Sequence, residues 1–247
     1  MPRLNSQDNL EQFKLQTSHY GFSATRIEDL DASEYTLVTL VFDRSGSTAG
    51  FRDEMKKAVD KVVEACKKSP RADNLMFRLC EFSDGFVERH GFKRLSTIGN
   101  DYDCLLGDDG GMTALYDASE NAISATEAYA KTLTENEFSV NAILFVITDG
   151  MDNRSRLTPN EVKKALARSV KSEAMESLVS VLIGVNLDPS CDQYLINFKD
   201  DAGFTQYVNI GDATPQKLAK LAEFVSKSIS SQSQSLGSGG PSQLMTF

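Results

Sequence analysis

The sequence predicts an α/β fold, with a doubly wound, mostly parallel central sheet, helices on both faces and one antiparallel edge strand. Three observations lead there. The runs TLVTLVF (36–42), VNAILFVIT (140–148) and 178–185 are apolar on both faces, as strands covered on two sides must be. Helical patterns alternate with those strands. Two of the strands run directly into aspartates, Asp43 and Asp149, where an open α/β sheet places its ligands.

The elements follow in order. Residues 1–34 read as a polar leader in which Leu10, Phe13 and Leu15 hint at a short helix. After the first strand, residues 51–68 place Met55, Val59, Val62, Val63 and Cys66 on one helical stripe, and Pro70 stops it. Residues 75–82 form the next strand, SDG (83–85) a turn, and FVERHGF (86–92) the return strand of a hairpin. The polar loop STIGNDYDCLLGDDGGM (96–112) leads to a helix over about 114–132. Thr158-Pro159 and Thr214-Pro215 each open a helix, with threonine as cap and proline at the first position. A helix-like stretch at 193–199 precedes a short strand at 206–210. These elements define one domain over 35–230. The Ser/Gly/Gln-rich tail, 231–247, has the composition of a disordered segment, and its last residues, LMTF, read as a loose end or a short docking motif.

Composition narrows the function. The 247 residues carry 26 basic and 35 acidic side chains, a formal net charge of −9. This disfavours a backbone grip on nucleic acid and an anionic membrane surface. The N-terminus, MPRLNSQDNL, has no apolar signal region, and the best apolar run, AILFVI, is far too short to span a bilayer. Cys66, Cys80, Cys104 and Cys191 are scattered without CxxC pairing, so buried thiols in a reducing cytoplasm are expected.

Polar residues gather at one rim. DRSGS places Asp43, Ser45 and Ser47 after the first strand, GGMTALYDA places Thr113 on a Gly-rich turn before a helix, and Asp149-Gly150 follows a later strand. All five side chains offer oxygen, and none offers sulfur or imidazole. Hard oxygen donors suit Mg²⁺, Mn²⁺ or Ca²⁺ rather than zinc or copper.

These three segments resemble the metal-ion-dependent adhesion site of von Willebrand factor A domains. DRSGS matches the Asp-x-Ser-x-Ser motif, GGMTALYD resembles the threonine loop and ITDGMDN the later aspartate loop, in family order over roughly 35–229. The resemblance implies a Rossmann-like sheet. It also implies that Ser45, Ser47 and Thr113 ligate the metal, Thr113 directly or through water, while Asp43 and Asp149 hold metal-bound waters. A partner's Asp or Glu would complete the coordination. Intracellular bacterial members often work beside MoxR-type AAA+ ATPases or in tellurium-resistance modules, and this chain is similar to them in size and layout. An adaptor of that kind, and not an enzyme, is the expected function.

Plainer readings compete. Asp43 and Ser47 alone serve equally well as helix caps, and Asp149-Gly150 alone as a turn. Asp152 and Asn153 either add hydrogen bonds behind the metal or form a surface turn. The acidic loop with Asp101, Asp103, Asp108 and Asp109 fails as an EF-hand, because Leu106 and Met112 stand at the required glycine and glutamate. His19 and His90 lie outside the motif loops, so Ser–His catalysis has no base. The alternatives are a self-assembling structural subunit and a Mg²⁺-dependent phosphoester hydrolase. The hydrolase lacks a second metal cluster and a Walker loop.

Overall fold

Apolar strand runs and capped helices alternate in the structure, a computed structural model that describes residues 10–15, 20–99 and 111–247. The strands are β1 (Leu10–Phe13), β2 (Phe22–Thr25), β3 (Glu34–Asp43), β4 (Leu75–Phe82), β5 (Phe86–Arg94), β6 (Ser139–Thr148), β7 (Leu178–Gly184) and β8 (Gln206–Asn209). The α-helices are α1 (Arg52–Lys67), α2 (Leu115–Glu135), α3 (Pro159–Lys171), α4 (Pro189–Ala202) and α5 (Pro215–Ser238).

One sheet runs in the order β1-β2-β5-β4-β3-β6-β7-β8. The segment from β4 through β3, β6 and β7 to β8 is parallel. At the other end β5 returns antiparallel to β4, β2 joins β5 in parallel, and β1 closes the edge antiparallel to β2. The fold is the predicted doubly wound α/β arrangement. On β3, Val38, Leu40 and Phe42 pack with Met55, Val59 and Val62 of α1 and Leu221 and Val225 of α5. Val41 points the other way and packs with Leu115 and Ala118 of α2, Val162 of α3 and Leu195 of α4. Strand alternation thus feeds a core on each face, with Tyr35 and Leu37 of β3 joining a third cluster toward the start of the strand, and each fully buried aliphatic side chain stabilises by about 1.5–3 kcal/mol. No helix among the described residues is long and apolar enough to cross a membrane.

The helix expected around Leu10–Leu15 is not there: Leu10–Phe13 is strand β1. The reason is tertiary. Phe13 stacks on Phe22 at 4.8 Å, Phe22 meets Phe92 edge-on, and the Tyr129 hydroxyl donates to Thr25 O at 2.8 Å. β2 approaches β5 so closely that a Cβ on Gly91 would lie 1.8 Å from Ser23 O. Beneath this contact the fully buried Arg78 donates to Glu88 at 2.7 Å and to Asn121 at 3.0 Å. Glu88 accepts in turn from the Ser23 N–H and hydroxyl, and Asn121 donates to Tyr20 O.

The tail also departs from expectation. α5 continues through Gln232, Ser233 and Leu236, all buried, to Ser238. Gln232 donates to Ala142 O at 3.1 Å and to Ser177 at 2.8 Å, while Arg71 donates to Ser233 at 2.9 Å. Beyond the helix, Phe247 packs edge-on against Phe224 under the Lys220 ammonium.

Cys66 and Cys80 are buried free thiols, as expected, and Cys191 is a half-buried one. His90 is buried, with Nδ1 2.9 Å from Gly91 O. Cys104, His19 and the acidic loop 101–109 lie outside the described residues.

Candidate metal centre

β3 and β6 are neighbouring parallel strands in register, with Phe42 opposite Ile147, so Asp43 and Asp149 emerge together at the same rim. Asp43 is fixed from two sides. Its Oδ1 accepts the Ser45 N–H at 2.8 Å, and its Oδ2 accepts the Thr148 hydroxyl at 2.7 Å. The Ser47 hydroxyl donates to Asp149 Oδ1 at 2.9 Å, and Ser45 Oγ lies 3.1 Å from Ser47 Oγ. Ser47 spends its hydrogen on Asp149, and the Ser45 hydroxyl faces both Ser47 and the Asp43 carboxylate. A continuous hydroxyl ladder therefore leads from the β3 loop to the second carboxylate.

Thr113 reaches this rim through backbone lacing. The Gly46 N–H donates to Gly111 O at 3.2 Å, Ala114 N–H to Ser83 O at 2.9 Å, and Met112 N–H to Asp84 at 2.6 Å. Gly111 takes φ +102°, a conformation that glycine adopts without strain. Asn153 then clamps Thr113 twice, accepting its N–H on Oδ1 at 2.7 Å and donating its own N–H to Thr113 O at 3.0 Å. The Thr113 side chain is nearly buried at this rim.

The loop after Asp149 and the start of α2 clasp each other. Asp152 and Ser155 accept the otherwise orphaned N–H of Tyr116, and Asp117 accepts those of Arg156 and Leu157. Asp152 and Asn153 thus hold loops together rather than form a plain surface turn. Sequence reasoning missed Thr148, which ends an apolar strand, and Asp84, which reads as an ordinary turn residue. A hydroxyl in the last position of a buried strand beside two aspartates was the available signal for Thr148.

Burial pushes the Asp43 carboxyl up to about 6, partly offset by its Thr148 and Ser45 hydrogen bonds and reinforced by the charge of Asp149. Burial raises Asp149 as well, against the Ser47 hydrogen bond. Two desolvated carboxylates side by side favour a shared cation. Among the described residues no three His, Cys, Asp or Glu side chains converge, so hydroxyls would have to complete any ligand set. They are suited to it: a hydroxyl oxygen carries two lone pairs, and Ser45 and Ser47 stand 3.1 Å apart between the two aspartates. An oxygen-only set fits a hard divalent cation.

No protein-family model and no curated protein matches the sequence. Solved structures do. Proximal thread matrix protein 1 from the mussel byssus is 23% identical with a TM-score of 0.53, over 80% of this chain and 46% of that one. A further structure of that protein has a zinc-occupied MIDAS motif. The PilB minor pilin of Streptococcus sanguinis, as its D319A mutant, is 15% identical with a TM-score of 0.59, over 87% of this chain and 66% of that one. A von Willebrand factor type A protein from Catenulispora acidiphila is 18% identical with a TM-score of 0.52, over 85% of this chain and 44% of that one. These likenesses show a von Willebrand factor A-like fold. The chain spans about half the length of the mussel and Catenulispora proteins and about two thirds of the pilin.

Proposed function

We propose that this von Willebrand factor A-like chain is a protein-interaction module that captures an acidic residue of a partner protein at a divalent metal held by the rim of β3 and β6. Ser45, Ser47 and Thr113 would hold the ion through their hydroxyls, with Asp43 and Asp149 behind them. When bound, the ion supplies an open coordination position that a partner carboxylate can fill.

The observation that carries this reading is the hydroxyl ladder between two buried carboxylates. Ser47 hands its hydrogen to Asp149, the Ser45 hydroxyl lies 3.1 Å from that of Ser47, and Thr148 and the Ser45 N–H steady Asp43. Such a set presents neutral oxygens outward and keeps charge behind them. If both aspartates ligated directly, they would neutralise the ion and weaken its pull on a partner's acid. Mg²⁺, Mn²⁺ and Ca²⁺ are the first candidates. The zinc in the mussel protein's motif adds Zn²⁺ to the ions to be tried.

The free thiols Cys66, Cys80 and Cys191 support a reducing, cytoplasmic setting, and work as an adaptor to an AAA+ ATPase or stress-response complex belongs to the same proposal. Capture experiments in Mg²⁺ and in EDTA, with Asp43→Ala as control, test it. Metal-dependent capture lost in Asp43→Ala supports the reading. Calorimetric Mg²⁺ and Mn²⁺ binding unchanged in Asp43→Ala refutes the site.

A further inference from the structure

Five large hydrophobic side chains are exposed among the described residues, and two of them, Met112 (44%) and Met151 (38%), flank the candidate metal centre on separate loops. A third, Tyr20 (37%), belongs to the same end of the sheet, its hydroxyl 3.6 Å from the Cβ that Gly85 would carry. Neither methionine is exposed because its loop is slack. Met112 is held at its own N–H by Asp84, and the next residue, Thr113, is clamped by Asn153. Met151 lies between Gly150, whose N–H donates to Thr148 at 3.2 Å, and the Asn153 clamp. The backbone is fixed and two flexible, polarisable thioethers are presented to solvent, which costs solubility unless something covers them.

The same loop carries Arg154 and Arg156, both exposed and in no ion pair among the described residues. In a chain of net charge −9, these two guanidinium groups, on the loop that follows Asp149, offer local positive charge to an approaching acid.

We propose that the partner presents its metal-seeking carboxylate between large apolar side chains, which Met112 and Met151 cover, within an acidic segment that Arg154 and Arg156 attract. The proposal rests on the adhesion reading above and specifies its ligand. The thioethers provide adaptable apolar contact on a preorganised platform, the arginines favour an acidic approach, and the captured acid sets the register.

The test uses the full chain labelled with ¹³C at its methionine methyls and two short peptides. In one, a single glutamate stands between leucine and phenylalanine; in the other, between two serines. Divalent metal binding is measured first by calorimetry, and its absence overturns the adhesion reading itself. With metal bound, the apolar-flanked peptide is expected to shift the Met112 and Met151 methyls, assigned from Met112→Leu and Met151→Leu. It is also expected to bind about tenfold more tightly than the serine-flanked one. Met112→Ser combined with Met151→Ser should erase that preference and leave metal affinity unchanged. Metal binding with equal affinity for the two peptides, with no peptide binding, or with methyls that stay in place overturns the rim proposal alone. Undiminished binding of the apolar-flanked peptide in EDTA overturns it too, because the contact would not depend on the captured acid.

Discussion

Thr148, the last residue of β6, donates its hydroxyl to Oδ2 of Asp43, the last residue of the neighbouring strand, at 2.7 Å. The bond orients a carboxylate that burial holds well above its ordinary range, so folding positions a charge at the expense of stability.

Asp43→Asn should therefore stabilise the metal-free protein. The asparagine carbonyl can accept the Ser45 N–H, and its amide can donate to Thr148, whose hydroxyl already lies 3.3 Å from Gly150 O. Relief of the buried charge should add ~1–2 kcal/mol at pH 7, discounted from the full value of the shift. The pH dependence has a definite sign. The folded state keeps the Asp43 proton up to about 6, whereas the unfolded chain releases it near the ordinary aspartate value of 3.8. This group's favourable contribution is present below about 4 and is lost as pH rises through about 6. Urea melts in EDTA at pH 5 and pH 8 should show a larger fall in stability with rising pH for the native chain than for Asp43→Asn. Calorimetry should show that the variant binds no divalent metal.

Asn153→Ala removes one of the two clamps on Thr113 and leaves its backbone partner in place. Metal affinity should fall by about 10- to 100-fold, as for other residues that orient a ligand from behind. Stability should change by only ~1 kcal/mol. Titration calorimetry beside a thermal melt separates the two effects, and unchanged affinity would rule out a positioning role for Asn153.

Gly91→Ala should detach the edge of the sheet. The added methyl would have to displace the Ser23 carbonyl, a backbone atom without a flexible side chain to yield. The expected cost is about 3 kcal/mol or more. Hydrogen exchange should show protection lost at Phe22–Thr25 and retained in β3 and β6. Uniform protection across the sheet would refute this placement of β2.

Thiol reactivity reports on the core. Burial pushes the Cys66 thiol up to about 12 and Cys80 higher still. At pH 8 iodoacetamide should leave both untouched in the native chain and label the half-buried Cys191. Peptide mass mapping reads each site separately, and rapid labelling of Cys80 would contradict its place in β4.

The central strands and the helix caps were legible because burial on two faces and Thr-Pro pairs are local signals. The meeting of the loops that carry Asp43, Ser45, Ser47, Thr113 and Asp149 was legible because three short motifs mark them, and the structure laces those loops together. What was not legible depends on distant partners. β1 and β2 have too few apolar residues to declare themselves, and they exist because Phe22, Phe92 and Tyr129 meet. Gln232 and Ser233 read as disordered because no periodicity marks a polar side chain whose partners are Ala142 O, Ser177 and Arg71. The clamp by Asn153 is equally silent, since one asparagine in a turn looks like any other.

The close approach at Gly91 also shapes what happens when the molecule breathes. β2 meets β5 in a single residue pairing, Ala24 with Phe92, so most of its grip comes from side chains. A copy that shed this edge would bare a strand bearing Glu88, Arg89, Lys93 and Arg94 rather than a flat aliphatic one. Charged ribbons are poor templates for stacking chain on chain. The strand beneath this flank therefore carries its own guard against edge-to-edge association should β2 lift away.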